Sequence, residues 1–152
     1  MNNGTTLLMT EDDPGHAALL TRNLRNAGVD HPVLRFGDGG AVLDFLLGRG
    51  AGPHRDPDGR YLLLLDIRMP RVDGLEVLRT LRGHPATADL PVIVVTTTDD
   101  PRDIAACGAL GCLDYVVKSV RPDRFRESMD RLAGAIRSAC GSDPAVAPTR
   151  PS

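Results

Sequence analysis

The stretch Tyr61-Leu62-Leu63-Leu64-Leu65-Asp66-Ile67-Arg68-Met69-Pro70 is an apolar run closed by a carboxylate, with a proline soon after. A short, wholly apolar run reads as a buried strand that delivers an acid to its C-terminal end. With no polar residue alternating along it, such a strand has no wet face and belongs in a parallel sheet covered on both sides. In open parallel sheets, that end is where ligands and chemistry gather. Two other runs stop in the same manner. Leu7-Leu8-Met9-Thr10 runs into Glu11-Asp12-Asp13, and Tyr115-Val116-Val117 runs into Lys118.

Working outward, strand-like and helix-like segments alternate along the chain. A first strand over 5–10 leads to a helix from Pro14 to about Ala27. Asp13-Pro14 supplies its N-cap carboxylate and first-turn proline, and Gly28 its stop. A strand from His31 to Phe36 passes through Gly37-Asp38-Gly39-Gly40 into a helix carrying Val42, Leu43, Leu46 and Leu47. The Asp66 strand precedes a helix from about Asp73 to Arg82, with Leu75, Leu78 and Leu81 on one face. Pro91 to Thr96 is a fourth strand. Asp100-Pro101 starts a fourth helix by the same device as Asp13-Pro14, and Leu113 to Val117 is a fifth strand. In the last helix Phe125, Met129, Leu132, Ala133, Ile136 and Cys140 fall at helical spacing, and most of that stripe is expected to face the sheet. The fold class is therefore α/β: one doubly wound, five-stranded parallel sheet of flavodoxin-like topology, a (βα)5 chain.

A chain of 152 residues suits one domain, expected over 1–140, with a disordered tail over 141–152 rich in proline, alanine and small polar residues. The segment from Gly48 to Gly59 reads as a mobile surface loop, with partner recognition as the sharper alternative. A net charge of −2 and a pI near 6 argue against DNA or RNA as a partner. No run is long and apolar enough to cross a bilayer or serve as an export signal, so a cytoplasmic location is expected. Cys107, Cys112 and Cys140 match no zinc spacing and read as small, largely buried thiols. His16, His31, His54 and His84 share no ligand spacing and read as surface or helix-end residues.

Three acids and a lysine at the ends of three strands point to phosphoryl transfer to Asp66. The order of an acidic pair, an aspartate followed by Met69-Pro70 and Asp73-Gly74, then Thr96, then Lys118 resembles the receiver domain of two-component response regulators. The likeness runs from about Thr5 to Ala139. The long segment before the Asp66 strand, with Thr96-Thr97-Thr98-Asp99-Asp100, is further similar to the single-domain receivers that partner bacterial and cyanobacterial phytochromes. The resemblance implies strand order 2-1-3-4-5, Asp66 as phosphoacceptor and Mg²⁺ as cofactor. Asp12, Asp66 and the backbone carbonyl of Arg68 would ligate the ion directly, and Glu11 through water. The physical need is plain, because a carboxylate and a phosphoryl group are both anionic and a divalent cation bridges them. Mg²⁺ takes hard oxygen ligands and keeps several waters. Without a cation the clustered carboxylates would repel one another.

Lys118 would pair with Asp66 before reaction and with a phosphoryl oxygen afterwards. By resemblance, Thr96 would donate its hydroxyl to the phosphoryl group, Thr97 would lie beside it, and Tyr115 would be the switch residue that turns inward. The implied protein is a stand-alone response regulator, phosphorylated by a sensor histidine kinase of the bacteriophytochrome kind. It would catalyse its own phosphorylation and slow dephosphorylation, but would be primarily a signalling protein. It would act on a downstream protein target or a phosphotransfer protein, and homodimerise through helix four, strand five and helix five. One departure stands out: receivers usually have proline after the lysine, often in a cis peptide bond, and this chain has Lys118-Ser119. The peptide is then either trans with a rearranged loop or strained. Arg68 is a second departure to watch, since its side chain can reach the mouth of the pocket.

Rival readings fare worse. A phosphatase of the haloacid-dehalogenase type needs a second acid two residues after its aspartate, where Arg68 stands. A flavin or nucleotide binder needs a Gly-rich or hydroxyl-rich phosphate cradle after the first strand, where Glu11-Asp12-Asp13 would repel phosphate. The serious alternative is a receiver-like interaction module that acts without phosphorylation.

Overall fold

The structure is a computed structural model that describes residues 4–69 and 72–141. Its ten elements alternate: β1 (Thr5–Thr10), α1 (Pro14–Asn26), β2 (Val33–Phe36), α2 (Gly39–Leu47), β3 (Arg60–Leu65), α3 (Gly74–Gly83), β4 (Val92–Thr96), α4 (Pro101–Ala109), β5 (Asp114–Val117) and α5 (Pro122–Cys140). All strands pair in parallel, in the order β2-β1-β3-β4-β5. The expected tail over 141–152 lies, apart from Gly141, outside the described residues.

The pleat sorts each strand onto two cores. Leu7, Met9, Leu62, Leu64, Ile93, Val95 and Val116 face α1 and α5, which contribute Leu20, Leu24, Met129, Leu132 and Ile136. Leu8, Leu63, Leu65, Val92 and Val94 face α2, α3 and α4, meeting Val42, Leu46, Val77, Leu78, Leu81 and Cys107. The four leucines of β3 are each at most 2% exposed. Burying each contributes about 1.5–3 kcal/mol, so β3, which leads into Asp66, is firmly seated between the two cores. The last-helix stripe faces the sheet as expected, with Met129, Leu132, Ala133, Ile136 and Cys140 buried.

Four helices start on an aspartate cap. Asp13, Asp38, Asp73 and Asp100 accept backbone N–H bonds from Gly15, Ala41, Leu75 and Arg102 at 2.8–2.9 Å. Each cap stabilises its helix by about 1 kcal/mol. Because every helix follows a parallel strand, these N-termini line the edge on which Asp66 lies.

β2 begins at Val33, two residues later than the expected His31. Pro32 has no N–H to give a ladder, although its carbonyl accepts from Leu7 at 2.8 Å. His31 is fully buried rather than superficial. Its Nδ1 lies 2.7 Å from the carbonyl of Thr5 and fastens the start of β1. The 48–59 segment is tied back to the body. Arg55 N–H donates to the Phe45 carbonyl at 2.9 Å, Asp56 N–H donates to the Tyr61 hydroxyl at 2.9 Å, and the Arg55 guanidinium lies over the Tyr61 ring. No described helix is long and apolar enough to cross a membrane.

Candidate active site

Parallel strands bring their C-terminal ends to one edge, so the residues that follow β1, β3, β4 and β5 meet there. Asp66 is held by two contacts that each use a backbone N–H. Its N–H donates to Thr10 Oγ1 at 2.9 Å, and that hydroxyl donates to the Leu64 carbonyl at 3.4 Å, strapping the end of β3 to the end of β1. Arg68 N–H donates to Asp66 Oδ1 at 2.9 Å, an Asx turn that bends the chain directly after the strand. Behind it, Gly74 lets α3 approach closely. A Cβ there would lie 2.6 Å from the Asp66 carbonyl oxygen and would collide with the Ile67 Cα. That approach explains the glycine of the Asp73-Gly74 pair.

Oδ2 of Asp66 faces Lys118, whose Nζ lies 3.5 Å away. Lys118 is 5% exposed, so its ammonium must find partners within the protein. It has two others: Glu11 Oε1 at 3.2 Å and His16 Nε2 at 3.4 Å. Glu11 is itself buried, and its Oε2 accepts from Asp13 N–H at 3.2 Å. The lysine thus stands between two of the three expected acids and offsets their repulsion. Asp12 stands apart with an exposed side chain, while Arg35 holds the Glu11 and Asp12 carbonyls at 3.0 and 3.4 Å. Among the described residues, no three of His, Cys, Asp or Glu are gathered as a metal cluster.

Thr96 is fully buried at the end of β4, and its Oγ1 accepts from Thr98 N–H at 3.5 Å. Thr97 is exposed beside it. Its neighbour Thr98 belongs to a second network. Asp103 on α4 accepts from the Arg68 guanidinium at 3.0 Å and from the Thr98 hydroxyl at 3.4 Å. Tyr115 is half-buried and donates its hydroxyl to the Thr98 carbonyl at 3.0 Å. Burial above all pushes the Tyr115 phenol up to about 12, with negative charge at Cys107 and Asp103 adding to it. The chain from Arg68 through Asp103 and Thr98 to Tyr115 links the loop after Asp66 to β5.

The Lys118–Ser119 peptide is trans. Its loop is built around a donor that proline lacks: Ser119 N–H bonds Ser128 Oγ at 3.3 Å, and that hydroxyl donates to the Val117 carbonyl at 3.1 Å. Lys118 N–H also donates to the Thr96 carbonyl at 2.8 Å, joining the ends of β4 and β5.

The structure therefore brings together Asp66, Lys118 and Glu11, with Thr96 at the next strand end, and leaves Asp12 and Thr97 at the rim. It adds residues that the sequence reading passed over: Thr10, His16, Asp103 and Ser128. His16 is a helix-end residue, as the sequence suggests, and from the first turn of α1 it also faces the lysine ammonium. The available signal was its place in the first turn of α1. There Cα–Cβ bonds tilt toward the helix N-terminus and hence toward the edge that holds Asp66.

A profile of the response regulator receiver domain matches residues 7–130. The chain belongs to that family. It is 31% identical over 113 residues to the response regulator Rcp1 of Synechocystis, covering 74% of this chain and 76% of Rcp1. A Mn²⁺-bound structure of Rcp1 superposes with a TM-score of 0.74 at 26% identity, over 97% of this receiver and 99% of that chain. A receiver domain from Rhodospirillum rubrum gives a TM-score of 0.74 at 34% identity, over 93% and 98%. The phosphorylated cyanobacterial phytochrome response regulator RcpA gives 0.71 at 26%, over 90% and 94%. This receiver is thus related to phytochrome response regulators, and its five-stranded order is that of the family.

Proposed function

We propose that this receiver accepts a phosphoryl group on Asp66 from the phosphohistidine of a sensor histidine kinase, and that the modification changes its contacts with other proteins. The observation that carries the reading is the pairing of Asp66 Oδ2 with the buried ammonium of Lys118 at 3.5 Å. An Asp66 oxygen attacks phosphorus, and the P–N bond breaks. Its electron pair returns to the kinase imidazole, which takes up a proton. Lys118 then transfers its hydrogen bond to a phosphoryl oxygen, as a mobile cation on a four-carbon stem can do.

The donor set fits a hard divalent cation by its chemistry, because it consists of carboxylate and carbonyl oxygens and two of the carboxylates, Glu11 and Asp66, already converge on one cationic atom. Asp12, Asp66 and the Arg68 carbonyl would hold Mg²⁺, with Glu11 reaching it through water. The ion would offset the charge of acid and phosphoryl oxygens. The Mn²⁺-bound form of Rcp1 supports a divalent metal at such a site. Thr96 would bond the phosphoryl group, Thr97 would flank it, and the Thr98 carbonyl would release or retain Tyr115 accordingly. A bacteriophytochrome-type kinase is the proposed donor, by kinship with Rcp1 and RcpA. A downstream protein or phosphotransfer protein is the proposed recipient in the cytoplasm, and a homodimer through α4, β5 and α5 is the proposed assembly.

Intact-protein mass after incubation with Mg²⁺ and acetyl phosphate tests this, for wild type and Asp66→Asn. A single phosphate adduct that requires Mg²⁺ and is absent from Asp66→Asn is the expected result. An unmodified wild type with both acetyl phosphate and a purified cognate kinase would leave the phosphorylation-independent interaction module as the better reading.

A further inference from the structure

We infer that His16 is a positioning residue for Lys118, the third acceptor that keeps the ammonium poised between Glu11 and Asp66. The inference rests on the proposed phosphorylation of Asp66 for its consequence, but on geometry for its existence. An ammonium carries three N–H donors and no acceptor. Lys118 is 5% exposed, and the protein offers three acceptors around Nζ: Glu11 Oε1 at 3.2 Å, His16 Nε2 at 3.4 Å and Asp66 Oδ2 at 3.5 Å. Since Nζ can only donate, Nε2 accepts, and the ring proton belongs on Nδ1.

The His16 backbone is anchored at the start of α1, and its side chain, 32% exposed, lies beside α5. His16 N–H reaches the Asp13 cap at 3.4 Å, which fixes the first turn of α1, and the ring lies 6.2 Å from that of Phe125 on α5. Glu11, just past the end of β1, and His16, in the first turn of α1, are five residues apart in sequence and both reach the same lysine ammonium. His16 Nε2 is also 3.9 Å from Glu11 Oε1, so all three polar groups form one cluster.

The consequence concerns what happens to Lys118 during reaction. Glu11 and Asp66 are both assigned other work in the proposed site, Glu11 toward the hydrated cation and Asp66 toward phosphorus. His16 is the one acceptor of the three with no other assignment. With it, the lysine keeps a neutral anchor while it exchanges a carboxylate for a phosphoryl oxygen. Without it, the ammonium is shared between two carboxylates alone, and the stronger pairing with Asp66 competes with attack.

The test compares wild type, His16→Ala and His16→Gln, because a glutamine carbonyl restores an acceptor. The first readout is the Lys118 ¹⁵Nζ–H resonance, recorded without phosphodonor. It should be sharp in wild type, lost to solvent exchange in His16→Ala, and recovered in His16→Gln. The second is the rate of phosphate adduct formation at saturating Mg²⁺. It should fall about tenfold in His16→Ala, the loss expected for one hydrogen bond to a charged group. It should return to within about threefold of wild type in His16→Gln. Mg²⁺ affinity by calorimetry should be unchanged across the set. An unaltered Lys118 resonance in His16→Ala, or a glutamine variant no better than alanine, overturns the inference. If wild type takes up no phosphate, the functional reading fails, and the resonance alone decides for or against His16.

Discussion

Gly74→Ala should destabilise this receiver although every local rule favours alanine. Gly74 opens α3, where alanine is the better helix former, and its φ is not in the left-handed region. A glycine-to-alanine change at such a position ordinarily stabilises by about 0.4–1 kcal/mol. Tertiary packing reverses the sign here. The added Cβ would stand 2.6 Å from the Asp66 carbonyl oxygen and closer still to the Ile67 Cα. Both are backbone atoms, so no rotamer change relieves the overlap. Clearing an ordinary carbon–oxygen contact requires a separation of roughly 1 Å between α3 and the Asp66–Ile67 turn. Overpacking of this kind costs about 1–3 kcal/mol. A loss of about 2 kcal/mol lowers Tm by roughly 5–10 °C in a domain of this size. The shift falls on the phosphoacceptor, where a 1 Å misplacement costs about 10²-fold in rate.

The control is Gly134→Ala in the interior of α5, where a new Cβ meets nothing within 4 Å. That variant should be stabilised by up to about 1 kcal/mol. Urea denaturation followed by circular dichroism reads both, and intact-mass phosphorylation reads the displacement of Asp66. Equal stabilisation of the two variants, with normal phosphorylation of Gly74→Ala, would refute the idea that the glycine is there to let α3 approach the acid.

Lys118→Met should destabilise by about 3–5 kcal/mol in urea at neutral pH, since it strips the cation from the buried Glu11 carboxylate; adding Glu11→Gln should recover most of that loss. Ser128→Ala should cost about 1 kcal/mol by the same assay, because it removes the hydroxyl that binds both the Ser119 N–H and the Val117 carbonyl. Stability should also fall in alkali. Tyr115 ionises near 10 when unfolded and about 12 when folded, chiefly through burial, so its contribution is complete below pH 10 and is lost as pH rises toward 12. Cys107, pushed up to about 11 by burial, adds a loss over pH 9–11. Denaturant midpoints measured across pH 8–12 should show the decline, and Tyr115→Phe should flatten its upper part.

The sheet was legible in the sequence because the information is local. β1 has the bounds read from its apolar run, and Asp13-Pro14 and Asp100-Pro101 open α1 and α4 as cap and first-turn proline. Asp66, Glu11, Thr96 and Lys118 could be placed for the same reason, since each lies at the end of a buried strand. β2 starts at Val33 rather than His31 because Pro32 has no N–H for the ladder, a limit that the β-rich composition of the run conceals. The partners were not legible. Lys118 meets His16 across 102 residues, Arg68 meets Asp103 across 35, and Asp66 N–H meets Thr10 across 56. Which side chain points across the edge depends on how α1 and α4 sit on the sheet, and no spacing rule encodes that. Ser119 was visible as a departure, but its explanation lay on α5, in Ser128.

The charges at this edge supply a further argument about how such a site can work. Glu11, Asp12 and Asp66 oppose one ammonium, so the acids exceed the lysine by two charges. In the proposed reaction, that excess is what a divalent cation balances. The lysine is held by contacts of 3.2–3.5 Å, longer than the 2.7–2.9 Å of a tight charge-assisted bond. A lysine locked onto Asp66 would stabilise the resting acid and oppose its attack on phosphorus. One shared among three acceptors keeps Glu11 and His16 when Asp66 turns to phosphorus. Tightening the pair should therefore slow the reaction. His16→Leu, which removes the neutral acceptor and crowds the ammonium toward Asp66, should phosphorylate more slowly than His16→Gln at equal Mg²⁺ occupancy. Equal rates in these two variants would show that the spread of contacts around Lys118 has no kinetic role.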